Sequence, residues 1–180
     1  MTTPHAIVAA SFFMLVVVTS LPAQQSPGAT LAHTRTEFHF TANAPLEKTA
    51  PLFGADAERN WAPGWNPKFV YPQPAHDQQG MIFQVAHGEM TSTWVNTVFD
   101  LGAGHIQYAY VLGDAMVTTI EIHLTRQATD KTGVNVVYER TALLPEANQH
   151  VRHFENGDAK AGEEWERQIN EYLAKMQAKP

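Results

Sequence analysis

The stretch HIQYAYVLGDAMVTTIEIHLT, residues 105–125, contains two runs of alternating apolar and polar side chains, separated by Gly113-Asp114. Alternation with a period of two is the pattern of a β-strand with one face buried and the other in water. A Gly-Asp dipeptide between two such runs is typical of a hairpin turn. The stretch therefore predicts two antiparallel strands, and the same pattern recurs on both sides of it.

The alternating pattern covers most of the chain and predicts a meander. Gly102-Ala-Gly104 and Asp130-Lys-Thr-Gly133 supply turn residues between neighbouring runs, so sequential antiparallel pairing is the simplest topology. An earlier run, residues 34–40, places Phe38 and Phe40 on one face and predicts one more strand. The six strands predicted after it cover residues 68–71, 80–85, 93–99, 105–112, 116–125 and 134–143.

Helical patterns occur only between the first two strands and at the end of the chain. Residues 46–53 and 55–61 are long enough for two short helices, which Gly54, Pro63 and Gly64 end. The final segment, residues 162–176, carries the apolar stripe of an amphipathic helix at Trp165, Ile169, Tyr172, Leu173 and Met176.

These elements predict an α+β fold of order β-α-α-β(6)-α, in which a curved antiparallel sheet of seven strands grips one long C-terminal helix. A single helix cannot cover seven strands completely. The concave face of the sheet is therefore either packed solid or leaves a hollow, and hollows of this kind bind apolar ligands.

Several motifs strengthen this interpretation. The block ERNWAPGWNP at 58–67, the strand GMIFQV at 80–85, Thr93-Trp94-Val95, Gln107-Tyr108 and the closing Glu164-Trp165 follow the predicted elements in order. Over residues 34–176 the chain resembles the polyketide cyclase/dehydrase and lipid-transport branch of the START-like (SRPBCC, Bet v 1-like helix-grip) superfamily. The resemblance implies a helix-grip fold with a ligand cavity. It implies no particular reaction, because the superfamily has no universal catalytic motif.

Composition excludes several classes of function. The 180 residues suffice for about one domain, and 12 Lys and Arg against 18 Asp and Glu give a net charge of −6. This balance argues against nucleic acid as a partner, because phosphate backbones are bound by basic surfaces. The absence of cysteine excludes disulfides and thiolate metal sites, and no nucleotide-binding glycine motif occurs, so no cofactor and no metal are predicted.

The N-terminal region predicts export. All charged residues lie from Arg35 onward, and residues 6–18 form an uncharged apolar run of 13, too short to span a membrane as a helix. We interpret residues 1–23 as a signal peptide cleaved after Ala23, with Ser20 as the alternative site, residues 24–32 as a linker and residues 33–177 as the domain. The expected location is the periplasm or the medium, with no stable membrane span after cleavage. An uncleaved signal would instead act as a membrane anchor.

The predicted function is to hold a small apolar ligand, a lipid or an aromatic molecule, in the hollow between sheet and helix. Large aromatic side chains suit such a wall because they combine contact area with a polar group. Arg140 would bind a carboxylate or a carbonyl if it faced the hollow, and would be a solvated strand charge if it faced outward. The candidate ligand-binding residues are Trp61, Trp65, Phe83, Trp94, Tyr108, Tyr110, Tyr138, Arg140 and Trp165.

Two other functions remain open at this stage. A cavity enzyme of the cyclase or dehydratase type would use Glu121, His123 or Arg140, although strict alternation on their strand favours an outward position for Glu121 and His123. A protein-interaction module would have a filled core and an exposed apolar patch instead. Glu146, His150 and His153 have a spacing that permits metal ligation on a helix, but exposed positions near a helix end are the simpler interpretation. Oligomeric state is left open.

Overall fold

The computed structural model describes residues 30–178 and contains one seven-stranded sheet, all of whose neighbouring strands are antiparallel. The order across the sheet is β1-β7-β6-β5-β4-β3-β2, so the six later strands form a meander and β1 pairs with the last of them. The strands are β1 His33–Ala42, β2 Lys68–Tyr71, β3 Ile82–His87, β4 Met90–Asp100, β5 His105–Leu112, β6 Met116–Ala128 and β7 Lys131–Ala142. The predicted signal peptide and most of the predicted linker lie outside the described residues.

Two short helical segments connect β1 to β2, as predicted, but they are tighter than ordinary α-helices. Helix α1 covers only Leu46–Thr49 and continues as a 3-10 turn over Ala50–Phe53, and a second 3-10 turn covers Ala57–Asn60. Pro51 has no backbone N–H to donate and so cannot continue an α-helical hydrogen-bond pattern. The predicted α+β class and element order are confirmed.

The C-terminal helix α2 is twice as long as the sequence predicted. It covers Asn148–Gln177, 30 residues, and directly follows a 3-10 turn at Pro145–Ala147. The predicted range of residues 162–176 was too short at its N-terminal end, because the helix continues through Asn156-Gly157, where the local helix pattern is weak. A glycine inside a helix costs only about 1 kcal/mol. In the same half of α2, Val151 is buried and Asp158 forms an ion pair with Arg140 of β7.

The inner face of the sheet follows the predicted alternation. On β6, Ile120, Ile122 and Leu124 are buried, whereas Glu121 is partly buried and His123 is exposed on the other face. Helix α2 crosses this inner face mainly over β1 and β7. A Cβ on Gly162 would lie 3.0 Å from the ring of Phe38, so the missing side chain lets α2 approach β1 closely.

The last residues of the predicted linker belong to the folded domain. The backbone N–H of Ala32 donates to Asn148 Oδ1 at 2.6 Å, and Asn148 Nδ2 donates to the carbonyl of Thr30 at 3.1 Å. Ala32 is also buried. Among residues 30–178, no helix has both the length and the hydropathy that crossing a membrane requires.

Candidate functional site

A cavity of about 360 Å³ lies between the sheet and α2 and is closed on one side by the turn that follows the second 3-10 segment. Gly64, with φ of +80°, adopts the left-handed conformation that this turn requires. The far side is formed by the end of β3, where His87 is exposed. The lining residues are Glu58, Trp61, Ala62, Pro63, Gly64, Trp65, Phe83, Val85, Ala86, His87, Trp94, Tyr108, Ile120, Ile122, Tyr138 and Trp165.

The structure places seven of the nine predicted ligand-binding residues on this wall. They are Trp61, Trp65, Phe83, Trp94, Tyr108, Tyr138 and Trp165. Tyr110 and Arg140 are not among the lining residues. Tyr110 stacks on Trp94 with a centroid distance of 4.1 Å, so it lies on the same inner face but supports the wall from beside it. The role of all nine in binding remains a prediction.

The indole N–H groups on the wall are already used within the protein. Trp61 Nε1 donates to the carbonyl of Leu52 at 2.7 Å, and Trp65 Nε1 donates to the carbonyl of Ala55 at 2.8 Å. Trp94 Nε1 donates to Ser92 Oγ at 2.7 Å. These rings therefore offer a ligand their π-systems and apolar surface rather than a hydrogen bond.

Edge-to-face contacts hold the wall together across different elements. Trp61 and Trp165 meet at a centroid distance of 5.5 Å and an interplanar angle of 72°, which joins the turn to α2. Trp65 contacts Phe83 at 5.9 Å and Trp94 at 5.7 Å, also edge-to-face, which joins the turn to β3 and β4. Such pairs are favourable because a positive ring edge faces a negative ring face.

Glu58 is the ionisable group that sequence reasoning missed. Glu58 lines the cavity and is partly buried. Burial raises the pKa of Glu58 well above its usual value, and the negative charge of Asp77 raises it further. Asp77 itself is fixed because its carboxylate accepts the backbone N–H groups of Asp56 and Ala57 at 2.9 and 3.1 Å.

The phenol side chains of Tyr108 and Tyr138 line the same cavity. Tyr108 donates its hydroxyl to the carbonyl of Phe53 at 2.7 Å, which ties β5 to the first 3-10 segment. Burial raises the pKa of both Tyr108 and Tyr138, and the charge of Glu58 adds to the shift in each. Both side chains are therefore neutral phenols at physiological pH.

Arg140 is buried but is not among the residues that line the cavity. It is 4% exposed, forms an ion pair with Asp158 of α2, and lies over the rings of Tyr138 at 4.5 Å and Phe154 at 4.9 Å. Neither predicted environment, the solvated strand or the ligand clamp, matches this arrangement. The guanidinium instead links β7 to the N-terminal half of α2.

Glu121 and His123 lie on the outer face of the sheet, away from the cavity. Glu121 Oε1 is 3.0 Å from His123 Nε2 and 3.1 Å from Nε2 of His105, which pairs with His123 across the strands. Within residues 30–178 these are the three side chains close enough to share a metal ion, with ligand atoms within 4.8 Å of one another. The groups predicted for a cavity enzyme are therefore not in the cavity.

The hydroxyl group of Ser92 forms hydrogen bonds inside the protein beside Trp94. Its hydroxyl is buried, donates to the carbonyl of Val85 at 3.3 Å and contacts His87 Nε2 at 2.8 Å. Partial desolvation of the imidazole ring, which lies at the cavity rim, lowers the pKa of His87, and the nearby His150 lowers it further. The pair forms part of the support behind Trp94.

Comparison with known proteins identifies the fold but does not assign an activity. No established family profile and no curated protein sequence matches the chain. A point mutant of norcoclaurine synthase from Thalictrum flavum superimposes with a TM-score of 0.63 at 12% identity, over 83% of this chain and 99% of that one. Ara h 8.0201 superimposes with a TM-score of 0.55 at 15% identity, over 80% and 99% of the two chains. A hypothetical protein from Helicobacter pylori gives 0.56 at 13%, over 91% and 99%.

These neighbours include members of the Bet v 1-like SRPBCC superfamily, and the chain has the same helix-grip fold. The predicted fold is therefore confirmed. At these identities the likeness concerns the fold alone, so the polyketide cyclase and lipid-transport assignments remain predictions.

Proposed function

We propose that this protein is exported and holds a small aromatic or similarly apolar molecule in the cavity between the sheet and α2. The cavity itself is the observation that carries the proposal. Its volume lies within the roughly 300–1,000 Å³ of small-molecule sites, and aromatic rings from the turn, from four strands and from α2 line it. No lysine or arginine is among the lining residues, so the wall does not favour an anionic ligand.

The size of the cavity narrows the ligand. A volume of about 360 Å³ holds about a dozen water molecules at roughly 30 Å³ each. This suits a molecule of one or two rings better than a lipid with two acyl chains. One structure of norcoclaurine synthase is a complex with dopamine and hydroxybenzaldehyde, which makes small aromatic molecules reasonable first compounds to test.

The proposal predicts that filling the cavity abolishes binding. Wild-type protein should give saturable heats with members of a panel of one- and two-ring compounds in isothermal titration calorimetry. Ile120 lies on the cavity wall and is 5% exposed, so Ile120→Trp should place an indole in the ligand space. We expect its affinity to fall at least about tenfold, because the ligand and the new ring compete for one volume.

Val111→Trp is the matched control, because Val111 lies on β5 and is 41% exposed. It should bind as the wild type does, and circular dichroism should show that both variants are folded. Native mass spectrometry of protein from its own host should also show an adduct of low mass. Absence of an adduct together with absence of binding across the panel would contradict the proposed function.

Export makes a separate prediction about the N-terminus. If the uncharged run at residues 6–18 is a signal-peptide core, mature protein should lack residues 1–23 and begin at Gln24, or at Leu21 if cleavage follows Ser20. N-terminal sequencing of protein from the periplasmic fraction or the medium would measure this. Full-length protein held in the membrane fraction would favour the anchor instead.

The two other functions are less well supported. A cavity enzyme would have to rely on Glu58, since Glu121, His123 and Arg140 do not line the cavity. A carboxyl group with a raised pKa suits a general acid, and turnover of a bound panel member that Glu58→Gln abolishes would favour this function. An interaction module with a filled core is not favoured by a cavity of this volume.

A further inference from the structure

Glu58 is an acid without a counter-charge in a cavity of aromatic rings. It lies on the 3-10 turn Ala57–Asn60, and within residues 30–178 no hydrogen bond to its carboxyl oxygens is formed. The groups that face it are the phenols of Tyr108 and Tyr138 and the carboxylate of Asp77. Glu58 is partly buried and lines the cavity without a basic side chain beside it, so its carboxyl group is available to a charged group of the ligand.

The basic side chains near the cavity are already engaged elsewhere. Arg59 donates to Asp56 and to the carbonyl of Pro67 and lies 4.7 Å from the ring of Phe69. Arg140 is paired with Asp158. His87 is exposed at the rim and its pKa is lowered, so it is neutral at pH 7. Positive charge is thus absent from the cavity-lining residues, whereas aromatic π-faces and one carboxyl group are present.

We propose that the ligand of this cavity carries a basic nitrogen, whose cation binds between Glu58 and the indole rings. The inference rests on the proposed function and adds the chemical class of its ligand. Indole faces attract cations through the ring quadrupole, most strongly where water is excluded. The negative faces of the same rings would repel a carboxylate. A neutral ligand would gain one hydrogen bond from Glu58 and no charge–quadrupole attraction.

Proton release on binding follows from this arrangement. Without ligand, Glu58 has a raised pKa and is protonated over a pH range in which an ordinary carboxyl group is ionised. A cation beside it favours the ionised form and lowers the pKa again. Binding therefore releases a proton at any pH between the pKa of the bound and the free protein, and the affinity for a cation should rise with pH in that range.

The test compares benzylamine, a cation at pH 7, with benzyl alcohol, its neutral isostere, on full-length mature protein. Calorimetry in buffers of different ionisation enthalpy measures affinity and proton release together. We expect benzylamine to bind at least about tenfold more tightly than benzyl alcohol. Titrations at several pH values should show release of up to one proton at those pH values where Glu58 is protonated in the free protein. In Glu58→Gln the two affinities should become equal within about threefold, and proton release should disappear.

Glu139→Gln is the matched control, because Glu139 lies on β7 with its side chain 46% exposed and contacts only Arg35 among ionic partners in residues 30–178. It should retain the wild-type preference and proton release. Equal binding of the two compounds by wild-type protein, or a preference that Glu58→Gln leaves unchanged, would overturn the inference. A panel whose tightest ligands are neutral or anionic would also overturn the inference. The proposed function would survive each of these results, because each of them still includes binding of a small molecule. Failure of the whole panel would instead overturn the proposed function.

Discussion

Replacing Asp158 with alanine should lower the free energy of unfolding by about 3–5 kcal/mol, because it leaves the guanidinium of Arg140 buried without its counter-ion. Arg140 is 4% and Asp158 7% exposed, and Asp158 also accepts from the hydroxyl of Thr36 at 3.4 Å. The substitution thus removes the charged link between β7 and α2. Urea denaturation followed by circular dichroism at pH 7 would measure the change.

Two control variants test whether the loss of stability comes from leaving a charge buried or simply from removing an ion pair. Glu171→Ala removes the ion pair that Arg167 forms on the exposed side of α2 at 2.9 Å, and exposed pairs of this kind contribute at most about 1 kcal/mol. The double change of Arg140→Met with Asp158→Ala should recover much of the loss, because no buried charge remains. If Asp158→Ala costs no more than Glu171→Ala, the ion pair does not hold α2 to the sheet.

The parts of the fold that the sequence predicted are those set by local periodicity. The alternation in β6 assigned Ile120, Ile122 and Leu124 to the inner face and Glu121 and His123 to the outer face, and the structure agrees. Alternation is reliable here because one face of the sheet is buried and a slip by one residue would expose the entire apolar set.

The parts that could not be predicted depend on contacts between distant residues. Asn156-Gly157 weakens the local helix pattern, yet α2 continues through it, since Asp158 meets Arg140 of β7 and Val151 is buried. The same pairing explains why Arg140 has neither of its two predicted environments, the ligand clamp in the hollow or the solvated position on the outer face. Its partner lies 18 residues away, on a segment that was not predicted to be helical.

Glu58 was missed for a related reason. It belongs to a 3-10 turn of four residues, which is too short to show an amphipathic period. A signal did exist in the sequence, because Glu58 shares the block 58–67 with Trp61 and Trp65, two of the candidate ligand-binding residues. Which of its charged residues faces inward depends on the turn geometry, and Asp77, 19 residues later, fixes that geometry.

Phe83→Ala should have the second large effect on stability, again about 3–5 kcal/mol, because a fully buried ring leaves a hole that its neighbours cannot fill. Phe83 is 0% exposed and stacks on Trp94 at 5.4 Å, with Trp65, Phe69 and Tyr108 around it at 5.9–6.1 Å. Thermal and urea denaturation would measure the loss. Tyr71→Ala on β2 is the control, since Tyr71 is 54% exposed and its removal should change stability by only about 0.5 kcal/mol.

The same substitution also tests whether the aromatic cavity is the ligand site, because Phe83 is part of its wall. The volume of the lost ring joins the cavity, so Phe83→Ala should shift the preference of the ligand panel from one-ring toward two-ring compounds. Calorimetric titrations of both size classes, carried out well below the melting temperature of the variant, would measure the ratio of affinities. A variant that is destabilised as expected but keeps the wild-type size preference would show that Phe83 supports the core without contacting the ligand. Binding would then have to involve another surface, because a ligand beside Phe83 could not be indifferent to a void of that size.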